Sequence, residues 1–112
     1  MYWTGRASFF NTGTQTATVG SFQPTWARLT ITNSNDSISI GTTDGTRQNV
    51  QSGWSGGSDT SGSKIVYLKD NTGTVIMDAV WTSFGMSGST GTVTFNVANP
   101  GIGKAFTLEV GN

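Results

Sequence analysis

The sequence predicts an all-β protein, an antiparallel β-sandwich of the jelly-roll or immunoglobulin-like sort. Three observations carry that expectation. Apolar residues recur at every second position almost throughout, and no window keeps helical spacing for long. Threonine, serine, glycine and asparagine make up half of the 112 residues, with threonine alone at 19. Its branched side chain suits a pleated, half-wet surface. Between the alternating runs stand Asn- and Gly-containing turns, the punctuation of short hairpins.

Each run can be justified in order, and the runs give about eight strands. They fall near residues 2–10, 14–20, 25–33, 36–41, 64–69, 74–82, 91–97 and 104–110. In "WARLTITN", Ala27, Leu29 and Ile31 share one face, and Trp26, Arg28, Thr30 and Thr32 the other. "SISI" continues with Ile38 and Ile40 expected inward. "TVTFNVA" places Val93, Phe95 and Val97 inside, and "KAFTLEV" does the same with Phe106, Leu108 and Val110.

Two runs are apolar on both faces. "KIVYLK" has Ile65 and Tyr67 on one side, Val66 and Leu68 on the other. "TVIMDAVWTSF" sets Val75, Met77, Ala79 and Trp81 against Ile76 and Val80, with Asp78 among them. A two-sided apolar strand must be covered twice, here by a loop, a terminus or another subunit. The turns are "NTGT" at Asn11–Thr14 and Asn71–Thr74, and "NSND" at Asn33–Asp36. Pro24 and Pro100 fall beside strands, where a missing amide costs no ladder bond.

One domain spans 1–112, since this length leaves no room for a second core. Six basic and six acidic side chains cancel, and neither sign clusters. That excludes an electrostatic nucleic-acid binder. The longest apolar stretch, Ile65–Leu68, is four residues, far short of a membrane span. With no signal-peptide pattern, a chain soluble in the cytoplasm where it is made is expected. The Asn35-Asp36-Ser37 glycosylation pattern is set aside for the same reason.

Catalysis finds little to work with. Histidine and cysteine are absent, which removes the commonest general base, metal ligand and thiol nucleophile. "GWSGG" at 53–57 matches a nucleophile elbow in letters only, because that elbow needs a histidine to take the Ser55 proton. Most of the acids stand where turns are expected, as Asx-turn formers. A calcium site from Asp44 and Asp59 fits no known loop spacing. Asp78, inside an apolar run, must face solvent or pair with an arginine. No enzyme, no cofactor and no metal is the expectation.

The four tryptophans are many for this length, and three roles stay open for them: core edge, protein interface or sugar-stacking platform. The segment 41–63, "GTTDGTRQNVQSGWSGGSDTSGS", is the least readable. Burying Val50 and Trp54 returns about 1.5–3 kcal/mol each, against a backbone entropy cost of about 1–2 kcal/mol per residue. Burial within the segment cannot order it. It pairs as an extra strand at a sheet edge, with Arg47–Gln51 the best segment, or a partner orders it, or it moves.

The run "GTTDGTRQNVQSGWSGGSDTSGSKIVYLKDNTGTVIMDAVWTSF" resembles a segment of structural proteins of tailed bacteriophages. There a strand ending in "DGT" leads through a Ser/Gly-rich stretch into a "strand, D-x-T-G, strand" hairpin. The opening "TGRASFFNTGTQTATVGSFQPTWARLTITN" is similar to that family's usual start. The chain departs at "SFGMSGSTGTVTFNV", where the family has a "D-G-F-T-L" turn. The resemblance implies a non-enzymatic virion structural protein, capsid decoration or cement on the particle surface. The alternative it leaves is a receptor-binding module of a tail or head fibre, stacking host glycan on Trp26 or Trp54. Implied partners are the major capsid protein or neighbouring decoration subunits, with self-association, trimeric in the manner of virion knobs. Candidate contacts are Tyr2, Trp3, Arg6, Phe10, Trp26, Arg28, Arg47 and Trp54; no catalytic residue is implied.

Overall fold

The computed structural model describes residues 1–33, 37–102 and 104–112. The described residues form no helix and ten strands: β1 (Tyr2–Ser8), β2 (Gly13–Thr18), β3 (Trp26–Asn33), β4 (Ser37–Thr43), β5 (Gln48–Trp54), β6 (Gly57–Ser61), β7 (Val66–Lys69), β8 (Val75–Ser87), β9 (Thr90–Asn99) and β10 (Ala105–Gly111). They build two antiparallel sheets packed face to face, a β-sandwich. The larger sheet has the order β1-β10-β3-β4-β5-β6 and the smaller β2-β9-β8-β7. The outer pairs β1–β10 and β2–β9 place the first two strands against the last two, while β3–β6 and β7–β9 run as meanders.

The inward sets expected for β3, β9 and β10 are the observed ones, all buried. Phe9 joins them with its ring 5.2 Å from Phe95 and 4.8 Å from Phe106. Both "NTGT" stretches turn the chain, with Gly13 and Gly73 at φ 93° and 84°. Asp70 Oδ1 caps the second turn by accepting the amides of Thr72 and Thr74. The turn expected at "NSND" lies outside the described residues beyond Asn33. Two strands more than expected arise because segment 41–63 is not a loop. It completes β4, then forms the hairpin β5–β6 on the edge of the larger sheet.

Strand β4 reverses the expected phase. Ile38 and Ile40 point outward, at 37% and 38% exposure, while Ser37 and Ser39 are buried. The register explains this: Leu29 and Ile31 face inward and stand opposite Gly41 and Ser39, so the small residues share the core side. Space requires it, because the chain entering β7 lies directly on β4. A methyl group at Gly41 would land on the carbonyl oxygen of Ile65. The Tyr67 amide, in turn, donates to Ser39 Oγ across the sheets (3.0 Å).

The doubly apolar "KIVYLK" also resolves within one chain. Ile65 sits in a bend before β7, so it and Val66 both turn into the core, with Leu68 beside them. Only Tyr67 is left on the other face, and two lysine ammoniums roof its ring, Lys64 at 4.6 Å and Lys69 at 4.7 Å. The second cover, expected from a loop, a terminus or another subunit, comes here from the two lysine side chains over the ring.

In β8 a register shift between Trp81 and Ser83 absorbs one residue. Trp81 and Phe84 therefore both lie on the side of Phe95 and Val93, 5.0 Å apart. Past Ala79, where pairing with β7 ends, the backbone groups on that side of β8 lie off the ladder. Gln48 satisfies them from the opposite sheet: its amide donates to Trp81 O (2.9 Å) and its carbonyl accepts from Trp81 N (2.8 Å).

Candidate functional site

The eight candidate contact residues fall in three places. Trp3 and Arg6 line a cleft of about 310 Å³ between the edge strands β1 and β2, above Phe9, Phe95 and Phe106. Trp3 packs against the core and over Gly5, so its role is largely structural. Phe10, exposed at 62%, follows β1 in the link to β2.

Trp54 stands alone at the end of β5, half-buried, with Gly57 and Gly73 against its indole. Lys69 Nζ lies 4.7 Å from the ring centre and makes a 3.0 Å ion pair with Asp59 on β6. The Asp59 carboxyl is held below its ordinary pKa chiefly by the Lys69 hydrogen bond. The glycines and the ammonium pack this ring into a clasp between the β5–β6 hairpin and β7.

Tyr2, Trp26, Arg28 and Arg47 gather on the outer face of the larger sheet. Alternation along β1, β10, β3, β4 and β5 brings two rows outward: Tyr2, Gly111 and Trp26, then Thr4, Glu109, Arg28, Thr42 and Asn49. Glu109 ties the rows together. Its Oε1 accepts from Arg28 Nε at 3.0 Å, and its Oε2 from Arg28 Nη2 and Tyr2 Oη, both at 2.8 Å. The Tyr2 hydroxyl and then the guanidinium hold the Glu109 carboxyl below its ordinary pKa, and the same hydrogen bond raises that of Tyr2.

Trp26 lies flat on Gly111, where a methyl group would fall within 2.6 Å of its ring atoms Cε2 and Cζ2. The Tyr2 ring flanks it at 6.2 Å. Beside it opens a depression of about 530 Å³, lined by Trp26, Arg28, Thr42, Asp44, Arg47 and Asn49 among others. Asp44 Oδ1 accepts the amides of Thr46 (2.9 Å) and Arg47 (2.7 Å), which shapes the β4–β5 turn. Those bonds, the Arg47 amide first, keep its carboxyl below the ordinary value.

The other described acids hold structure. Asp78 is buried and pairs with Lys64 Nζ (2.6 Å) and Asn99 Nδ2 (2.6 Å), so its partner is a lysine and not the expected arginine. Among the described residues no group of three or more acids gathers where a metal could sit; Asp36 lies outside them. Ser55 is exposed in the β5–β6 turn. Sequence reasoning missed Gln48 and Glu109. Glu109 had a signal, since an acid and Arg28 both point outward from strands of one sheet. Gln48 had none, because its partner is main chain of the opposite sheet. Compared with known proteins, the chain matches no family model, no curated protein and no solved structure.

Proposed function

We propose that this chain is a non-catalytic structural component of a bacteriophage particle, attached at the surface through sheet edges and exposed aromatic and arginine side chains. One observation supports the non-catalytic part of this reading: every described acidic side chain is already engaged in holding the fold. Asp44 and Asp70 cap turns, Asp59 and Asp78 pair with lysines, and Glu109 binds Arg28 and Tyr2. Acid–base chemistry would need carboxylates facing a shared cleft, and these stand one at a time in separate places.

What is left outward is adhesive. Arg6 and Arg47 lie outside the three ion pairs of the described residues. Tyr2, Phe10, Ile38 and Ile40 are exposed, and interfaces favour aromatic and arginine anchors. Strand β6, exposed along most of its length, ends the larger sheet with an unpaired edge on which a neighbour's strand can continue the ladder.

Quantitative mass spectrometry of purified particles tests this. Copies in the hundreds would place the chain on the capsid lattice, as decoration; a handful would place it on the tail. Finding none in particles from cells that express it would reject the proposal.

A further inference from the structure

We infer that the depression beside Trp26 is a carbohydrate site, taking one pyranose ring of a glycan. This stands apart from any place on a virion, because it rests on the isolated chain's own surface. A pyranose offers a patch of C–H groups on one face and a rim of hydroxyls, each able to donate and accept. Its site must therefore combine an aromatic plate with both kinds of polar group, and must be reachable.

The depression combines them. Trp26 supplies the plate, and Gly111 sets its pose: the bare Cα lets the indole lie down against the sheet. Donors come from the exposed Arg47 guanidinium and the Asn49 amide, one strand away from Thr42 in register. Acceptors come from the Asn49 carbonyl and from Asp44, whose Oδ2 is left over once Oδ1 has taken two backbone amides. Arg28 forms a fixed wall, since Glu109 holds it through two bonds.

The other indoles do not compete. Trp54 is pinned by Lys69, Trp3 packs on the core, and Trp81 lies against Phe84. Polarity also fits a sugar better than a phosphate, because the Asp44 carboxylate lines the depression together with Arg47. An uncharged ligand rich in hydroxyls can use both groups, whereas a dianion would meet the carboxylate.

The test is a titration of the ¹⁵N-labelled chain with maltotriose, cellotriose, lactose, methyl α-mannoside and a glucuronic-acid disaccharide at millimolar concentration. The expected result is saturable movement of the Trp26 indole N–H signal with at least one of the uncharged sugars, while the Trp54 indole stays still. Arg47→Ala should weaken that binding about ten-fold or more, as loss of a charge-assisted hydrogen bond does. Gly111→Ala, which lifts the ring without removing it, should weaken it too, with the rest of the spectrum still folded. A response confined to the uronic acid would overturn the inference, since it would mark an anion contact at Arg47 and not a sugar seated on Trp26. No shift with any sugar, shifts centred on Trp54, or binding indifferent to both substitutions would overturn the inference.

Discussion

Three buried serines share the inner face of β4 and β5, and their hydroxyls have unequal surroundings. Ser39 Oγ accepts the Tyr67 amide from the opposite sheet, whereas Ser37 Oγ and Ser52 Oγ have no hydrogen-bond partner among the described residues. A buried donor left without its acceptor costs about 1–3 kcal/mol, while removing an unpaired hydroxyl removes a penalty. Ser39→Ala is therefore expected to lower stability by about 1–3 kcal/mol. Ser37→Ala and Ser52→Ala should be neutral or stabilising. Urea unfolding of the three variants decides it, and equal losses in all three would refute the assignment. The sequence could not distinguish them. "SISI" alternates perfectly, but alternation has two phases, and hydrophobicity favours putting isoleucine inside. The phase is chosen by the room left between β4 and the chain entering β7, where only Gly41 and the serines fit. At the candidate site the same limit applied differently. Trp26, Arg28 and Glu109 were readable as outward residues one by one, but that Glu109 joins Arg28 to Tyr2 depends on β10 lying between β1 and β3.

At the scale of an element, the β5–β6 hairpin shows how a stretch almost without apolar residues can be ordered. Its main chain continues the larger sheet, Ile38 to Thr43 pairing with Gly53 to Gln48, and Val50 to Trp54 with Ser61 to Gly57. Paired amides offset what side-chain burial cannot. The clasp at its end is Lys69, which touches Trp54 of β5 and pairs with Asp59 of β6 while standing on β7. Cation–π contacts at such partly exposed sites contribute about 0.5–1 kcal/mol, enough to change local opening more than global stability. Lys69→Met keeps the stem and removes the charge. Amides of 57–61 should then exchange several-fold faster with deuterium, while those of β9 in the centre of the smaller sheet stay unchanged. Uniform acceleration would mean that Lys69 supports the whole fold and not this hairpin. Sequence reasoning reached the possibility of an edge strand here but not the second strand of the pair. "GSDTS" has no apolar face to show a period, and its partner β5 supplies all the register.

Taken whole, the molecule is legible where the pattern is local and opaque where it is not. Strand positions follow from period two and from glycine turns, whereas strand order depends on which edges meet, and no short window records that. Charge, by contrast, can be read at the level of the entire chain. With neither histidine nor cysteine, no side chain has an ordinary pKa between the carboxylates and tyrosine. Asp44, Asp59, Asp70 and Glu109 are all depressed in the fold, by backbone amides, Lys69, Thr72 and Tyr2 respectively as the leading causes. A depressed carboxylate gives stability that is present above its unfolded value and disappears as pH falls through the folded one. Tyr2 and Lys69 are raised, by hydrogen bonds to Glu109 and Asp59. Their contribution is present below the unfolded values of 10.0 and 10.5, and is lost as pH climbs through the folded ones. Because these groups are exposed or nearly so, each effect is small and screened by salt. The urea midpoint should stay level from about pH 5 to about pH 9 and decline on both sides. The acid decline should be shallower in high salt, and it should shrink in Glu109→Gln, which removes one depressed carboxylate. A step in stability near neutral pH would contradict this account, since no histidine or cysteine exists to cause it.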